Sequence, residues 1–597
     1  MRRRGYVAVL LAAVLAGCGV PDSGAPMVDG TPRPMIGDPH NEEKLRPPKP
    51  EDASDSHQAV QLYFQAASSE WSALFHQVGP FLSADARQTL KPLRGIQVVR
   101  VSDWGEPQVR SETVHRIRVR GEVIGELTED GVLEPARRSF SHTFQLRYTP
   151  VGDTFAWLID NPPLRYVLSV EAMTERFEAV SVYFSNQWSF ASLVPDLRYV
   201  PRSVDWRKQR SLLVDWLLRG PSSRFASVAA RGFPEGTKRL GNVYVDDGHL
   251  VVNLSSEADA SDRKDLLLAQ LTWTLRSRMT ASVRSVQLRI DNRPVRDRGH
   301  VVHQLEAFRG LNAVDALPDE SLAYYITEDD EVGTLPARRR PAGLPAVLTA
   351  SKMGDTDYNS AVESAALSRA GDLAALVRRT GEEQGLWIGR LRSSQAEATY
   401  RRVTGLPKDD LGSPRWVGGS AKEALLIVAD GQLYEIDMDN LRARTVSMPD
   451  RFGDLETISV APDGYRAALV ADGKLYVAGL PQHRDGLALR DPHEVSPRIR
   501  DAVDVAWSRE DRMVVAGTGP GRGGLWEVGV DGLIDDVSLP TPGYNVPDDV
   551  AAYPKLSGRG RVLIQQSGRV YEIYSNTFGD PGDAATAPVG ANPMFSR

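Results

Sequence analysis

Ala429-Asp430-Gly431-Gln432-Leu433-Tyr434 and Ala471-Asp472-Gly473-Lys474-Leu475-Tyr476 repeat one pattern 42 residues apart. Each joins a tight Asp-Gly turn to a strand that opens on an apolar residue followed by an aromatic one. The pair recurs at Leu386-Trp387, Leu525-Trp526 and Val570-Tyr571, so Trp387, Tyr434, Tyr476, Trp526 and Tyr571 are spaced by 47, 42, 50 and 45 residues. Between them lie partner strands and turns such as Val460-Ala461-Pro462-Asp463-Gly464 and Trp507-Ser508-Arg509-Glu510-Asp511. A period near 45 with several short strands per unit predicts an all-β propeller, because each small sheet buries its faces only against its neighbours. Helical repeats of similar period need amphipathic helices, and these segments alternate instead. Five units are visible, and 322–335, with an acidic turn at Glu328-Asp329-Asp330-Glu331, offers strands for a sixth. The expected blade number is five to seven. The recurring aromatics are expected to be structural, packed between blades; a ligand role would need several of them at one exposed mouth.

Working outward, the chain has 597 residues, 41% hydrophobic and 25% charged, which is enough for three or four domains. Its one cysteine, Cys18, excludes an internal disulfide and a thiolate metal site. A formal charge of −7 offers no general attraction for nucleic acid. Arg2, Arg3 and Arg4 precede an apolar run over 6–16, closed by Leu15-Ala16-Gly17-Cys18. This reads as a lipoprotein signal peptide, 1–17, because the run is well short of the roughly 20 residues that span a bilayer. An ordinary secretory signal with a coincidental cysteine is the alternative. Removing the three arginines takes the charge from −7 to −10.

Residues 18–54 form the lipidated cysteine and a tether, with eight prolines in 19–54 and little apolar content. Extended at about 3.1 Å per residue, such a tether reaches on the order of 100 Å. From Ser56 the pattern changes: Val60, Tyr63, Phe64 and Ala67 mark one face of a helix, and Phe140, His142, Phe144, Leu146 and Tyr148 alternate as a strand. An α+β domain is expected over 55–178, and it resembles the cone-shaped nuclear-transport-factor-like (NTF2-like) fold. Over 179–297 come a strand, a helix with Leu212, Leu213, Trp216 and Leu217 stopped by Gly220-Pro221, an Asp247-Gly248 hairpin, a helix opened by Asp262, and a last strand. Leu217-Leu218-Arg219-Gly220-Pro221, Phe233-Pro234-Glu235-Gly236-Thr237-Lys238 and Val252-Asn253-Leu254-Ser255 resemble the α/β GerMN domain of sporulation and germination proteins. Asn253 stands where that family more often has Asp. A linker is expected at 298–320 and the propeller at 321–597.

No catalytic, cofactor or metal constellation emerges. His300 and His303 lack the acid of a zinc motif. Asp355, Asp357 and Asn359 begin like a calcium loop, but Ser360 stands where its Gly belongs and Ala366 where its Glu belongs. Gly519, Gly521 and Gly524 fit a Gly-x-Gly-x-x-Gly spacing that leads into a strand, so no helix N-terminus awaits a phosphate. The Arg338 to Arg340 run sits beside Pro341 and reads as a solvated cluster.

Lipobox, Pro-rich tether, α+β domain, GerMN motifs and propeller, in that order, resemble the actinobacterial LpqB lipoprotein family along nearly the whole chain. The resemblance implies a non-enzymatic, extracytoplasmic protein held on the cell membrane through Cys18, which would bear a diacylglyceryl group with palmitate-class chains and a further N-acyl chain. It implies an accessory role to the MtrA/MtrB two-component system, through binding of the extracellular part of the sensor kinase MtrB, with effects on cell division and envelope homeostasis. A cell-wall glycan or other envelope ligand held by the propeller is the alternative. Cys18→Ala is expected to abolish incorporation of labelled palmitate, as measured on the immunoprecipitated protein.

Overall fold

A computed structural model of the protein describes residues 47–596 apart from 91–94, 187–191, 319–320, 336–342, 354–355, 369, 393–396, 419–423, 450–451, 484–485, 535–536, 540, 542–544, 559 and 574–586. These residues belong to one compact unit, Gly37–Arg597. Leu15, Ala16, Gly17, Cys18 and the run Arg338 to Arg340 lie outside the described residues. No described helix is long and apolar enough to cross a membrane.

The first domain is a helix laid on a curved sheet. Helix α1, Ser56–Ala66, is capped by Asp55, whose side chain accepts from the Gln58 amide. It buries Val60, Tyr63 and Phe64 as the periodicity predicts. The strands are β1 (Ile96–Asp103), β2 (Gln108–Ser111), β3 (Val114–Leu127), β4 (Leu133–Val151), β5 (Thr154–Ile159) and β6 (Tyr166–Ser169). They are ordered β5-β4-β3-β1-β6, with β2 paired to β3. Tyr63 and Phe64 meet Phe144 edge-on at 5.8 and 5.9 Å, locking the helix to the inner face of the sheet.

In the second domain Asp247 and Gly248 both take positive φ, as a two-residue hairpin turn requires. The helix Lys264–Leu275 starts after Asp262 and is buried at every residue from Leu266 to Leu275. It is enclosed by the strands Phe177–Asn186 and Ser285–Ile290, the helix Trp206–Arg219 and the turn Leu305–Leu311. Its buried Gln270 and Thr274 accept from the amides of Ser185 and Tyr183 at 3.1 Å, which satisfies strand donors that would otherwise be orphaned. The Gly220 carbonyl receives Arg198, whose guanidinium also pairs with Asp196 in a fully buried set. Asn253 exchanges two hydrogen bonds with Asn292, one donated by its own amide, a bond that an ionised Asp could not make. Residues 298–318, expected as linker, are packed chain: His303 pairs with Val286, and Trp273 donates to the Phe308 carbonyl.

Among the described residues the third domain has six sheets of three or four strands, its blades, besides two two-stranded ones. Four are four-stranded, opening at Val362–Leu367, Arg415–Val417, Leu455–Val460 and Arg500–Trp507; a fifth, opening at Asp549–Tyr553, has three described strands. The sixth joins Ala323–Thr327 and Val332–Thr334 to Gly590–Phe595, so both ends of the domain share one sheet and close the ring. Asp430-Gly431 and Asp472-Gly473 are turns with both φ values positive.

The GerMN-like domain and the third and fourth blades share one apolar core, which runs from Val180 and Phe225 to Tyr465, Trp507 and Val528. Glu510 sits in this seam, taking hydrogen bonds from Ser181 and Tyr183 hydroxyls at 2.7 Å. Arg466, also buried, pairs with Asp463 at 2.7 Å, donates to the Glu510 carbonyl and lies over the rings of Phe225 and Trp507. Tyr199 donates to Asp531 at 2.6 Å, and Leu533 reaches into the core of the first domain. Gly479 is a close approach, since a Cβ there would lie 2.6 Å from Ser227 Oγ and 3.2 Å from Val228. Gly479→Leu is therefore expected to overpack the seam by about 1–3 kcal/mol. Calorimetry should then resolve separate transitions where the parent protein melts in concert.

Candidate functional site

The inner strands of all six blades line one axial channel, through residues such as Leu367, Arg415, Val460, Val505, Ala551 and Phe595. Its volume is about 60 Å³. That is room for a few waters, whereas sites for drug-sized ligands begin at about 300 Å³. The walls are mostly apolar, with Arg415 the one charged residue in the lining; Asp504 and Asp549 are chain neighbours of the lining residues Val505 and Val550. Asp504 accepts from Thr457 Oγ1 at 3.0 Å and from the Val550 amide at 2.9 Å, which ties three inner strands together. Asp549 is hydrogen-bonded to Asp504, and burial first, then the Asp504 charge, hold its carboxyl well above the usual carboxylate range.

The repeat aromatics do not reach this channel. Trp387, Tyr434, Tyr476, Trp526 and Tyr571 each lie on the third strand of a blade, next to a buried Leu386, Leu433, Leu475, Leu525 or Val570. Their rings pack locally: Trp387 against Tyr358, Tyr476 against Phe452, and Trp526 over Gly519. A Cβ at Gly519 would meet the Trp526 ring at 2.2 Å, so that glycine serves packing. Gly521, at φ 82°, makes the turn after Pro520.

The remaining candidates are engaged in the fold. His303 is buried beside Phe308, and desolvation lowers its pKa. Asp357 accepts from Ser351 and from the Asn359 amide, while Asn359 bonds both backbone groups of Val332; Asp355 lies outside the described residues. Among the described residues no group of three or more His, Cys, Asp or Glu is placed to hold a metal ion. Glu510, Arg466 and Asp549 carried no signal in the sequence: each sits in an ordinary turn or strand start, and apart from the local Arg466–Asp463 pair the partners that matter lie on another blade or another domain.

Residues 49–174 match the family described as the N-terminal domain of lipoprotein LpqB, 181–296 the Germane family of sporulation and spore germination, and 353–575 the lipoprotein LpqB beta-propeller domain. A lipoprotein LpqB of Mycobacterium ulcerans (strain Agy99) is 26% identical over 595 residues, covering 92% of each chain. One of Mycobacterium tuberculosis (strain CDC 1551 / Oshkosh) is 25% identical over 597 residues, again 92% of each. The chain belongs to the LpqB lipoprotein family. Solved structures similar in part include the Myceliophteria thermophila Cps50 (Swd1) beta-propeller domain, 15% identical over 37% of this chain and 72% of that one, with a TM-score of 0.29. The tandem GerMN domains of GerM from Bacillus subtilis are 19% identical over 22% and 45%, with a TM-score of 0.18. Scores this low add nothing to the family assignment. LpqB membership makes this an envelope lipoprotein, and none of the three matched families is an enzyme family.

A raised folded-state pKa at Asp549 contributes stability that is present below the unfolded-state pKa of an aspartate and is lost as pH rises through the folded value. Asp549→Asn is expected to remove that loss. In melts from pH 5 to pH 9, the stability of the variant relative to the parent should rise with pH, by up to about 1.4 kcal/mol per unit while the parent group titrates.

Proposed function

We propose that this chain is a membrane-anchored accessory of the MtrA/MtrB two-component system, which binds the extracellular part of the sensor kinase MtrB and so affects cell division and envelope homeostasis. The observation that carries the reading is the seam of Glu510, Tyr183 and Arg466, set in an apolar core common to two domains. A continuous core makes the GerMN-like domain and propeller one rigid lever, so that contact at one end is felt at the other without an intervening hinge. Membership of the LpqB family supplies the cell-envelope setting. A lipid anchor on Cys18, at the extracytoplasmic face, would confine this body to a layer beside its receptor, where even a weak interface is occupied. The alternative, a glycan held by the propeller, is weakened by a channel of about 60 Å³.

Crosslinking from intact membranes, paired with a pull-down on the purified extracellular domain of MtrB, tests the proposal. Capture of the kinase by both the anchored and the soluble protein is expected. No association in either form would overturn it.

A further inference from the structure

The inner face of the first domain's sheet runs out beyond the helix that covers it. Under α1 that face is Ile117, Phe144, Leu146 and Ile159, all fully buried. At the first turn of α1, Ser56 Oγ meets His115 Nδ1 at 2.7 Å. Beyond that point the strand register continues the same face through Trp157, opposite Tyr148, and Phe155, opposite Pro150, with Val109 opposite His115 on β2. Four rings form a column: His115 to Trp157 at 4.3 Å, Trp157 to Tyr148 at 5.1 Å, and Tyr148 to Phe155 at 5.4 Å. The inner half is covered, but Tyr148 is 40% exposed, Phe155 57% and Val109 65%. The stack fixes the outer rings in place, so the exposed patch is preformed.

What covers it follows from where the chain enters the folded body. Pro48 and Pro50 are buried, and the turn Pro50–Asp52 packs against β5, the edge strand that carries Phe155 and Trp157. The 29 residues from Cys18 to Arg46 therefore lead from the acylation point to this end of the molecule. The rim is of mixed sign, with Arg110 and Arg147 against Glu112 and Asp153, all exposed. Aromatic rings that are apolar in body, with a polar tip on Tyr148 and a balanced rim, suit the headgroup zone of a bilayer. We propose that the hairpin ends at Val109 and Tyr148–Phe155 are a second membrane contact, seated in the interfacial layer of the bilayer that holds the lipid anchor. The body then stands on the membrane at this end, and the tether serves as a short leash instead of a spacer. This rests on the lipid-anchored reading of Cys18, and each patch contact is weak alone but made intramolecular by the leash.

The single thiol permits a direct test. Mature chain, 18–597, is coupled through Cys18 to maleimide-bearing lipid in phosphatidylcholine vesicles, and hydrogen exchange over 147–156 is compared with uncoupled protein in the same vesicles. Coupling is expected to slow exchange several-fold there, and the double variant Tyr148→Ser/Phe155→Ser is expected to lose that slowing with an unchanged melting curve. No slowing on coupling, or equal slowing in the variant, overturns the proposal. Slowing that appears only when the MtrB extracellular domain is added also overturns it, because the patch then serves a protein. Since the lipid is attached chemically, these outcomes are independent of acylation in the cell, whose failure would show instead as missing palmitate label.

Discussion

A buried carboxylate must be answered by donors, and in this protein the donors to Glu510 come from another domain. Ser181 and Tyr183 give two short hydrogen bonds, and Arg466, itself bound to Asp463, takes the Glu510 carbonyl. Pulling the domains apart would take the Ser181 and Tyr183 hydroxyls from the Glu510 carboxylate in a region otherwise lined by Val180, Phe225, Trp507 and Val528. The seam is therefore stiff for a reason beyond contact area. It turns a GerMN-like domain and two propeller blades into one body, and Tyr199 with Leu533 extends that body to the first domain.

The propeller tolerates such a load because it is closed. Gly590–Phe595 inserts beside Ala323–Thr327, so the last strand of the chain completes the sheet begun by the first strands of the domain. Closure also explains the narrow axis: six inner strands leave room for only a few waters. Asp504 and Asp549 sit where three of those strands converge, and burial together with the neighbouring Asp504 charge raises the Asp549 pKa.

Much of this was legible in the sequence, and the reason is local. The Asp430-Gly431 and Asp472-Gly473 turns demand positive φ, which Gly supplies freely and Asp tolerates, so their dipeptides announce hairpins. Val60, Tyr63 and Phe64 recur with the helix period and are buried on one face of α1. The helix Lys264–Leu275 defeats the same logic. It is enclosed on all sides, so no single face marks its burial, and Gln270 and Thr274 look like surface residues although they serve as buried acceptors. The segment 298–318 reads as linker because its strand is two residues long and its packing depends on Trp273 and Val286, outside the segment itself.

The sequence by itself determined the period of the repeat, the turn residues, the order of the domains and the place of the lone cysteine. All four are properties of neighbouring residues, set by backbone geometry and by chain composition. The tertiary structure alone decided that the described blades number six, that the ring is closed by a strand whose residues lie 263 to 272 positions from their partners, and that Glu510 answers Tyr183. It also decided that Tyr148 and Phe155, regular members of alternating strands, lie past the end of the covering helix. Which residues meet across such separations depends on how the packed elements fit, and no local pattern encodes that fit.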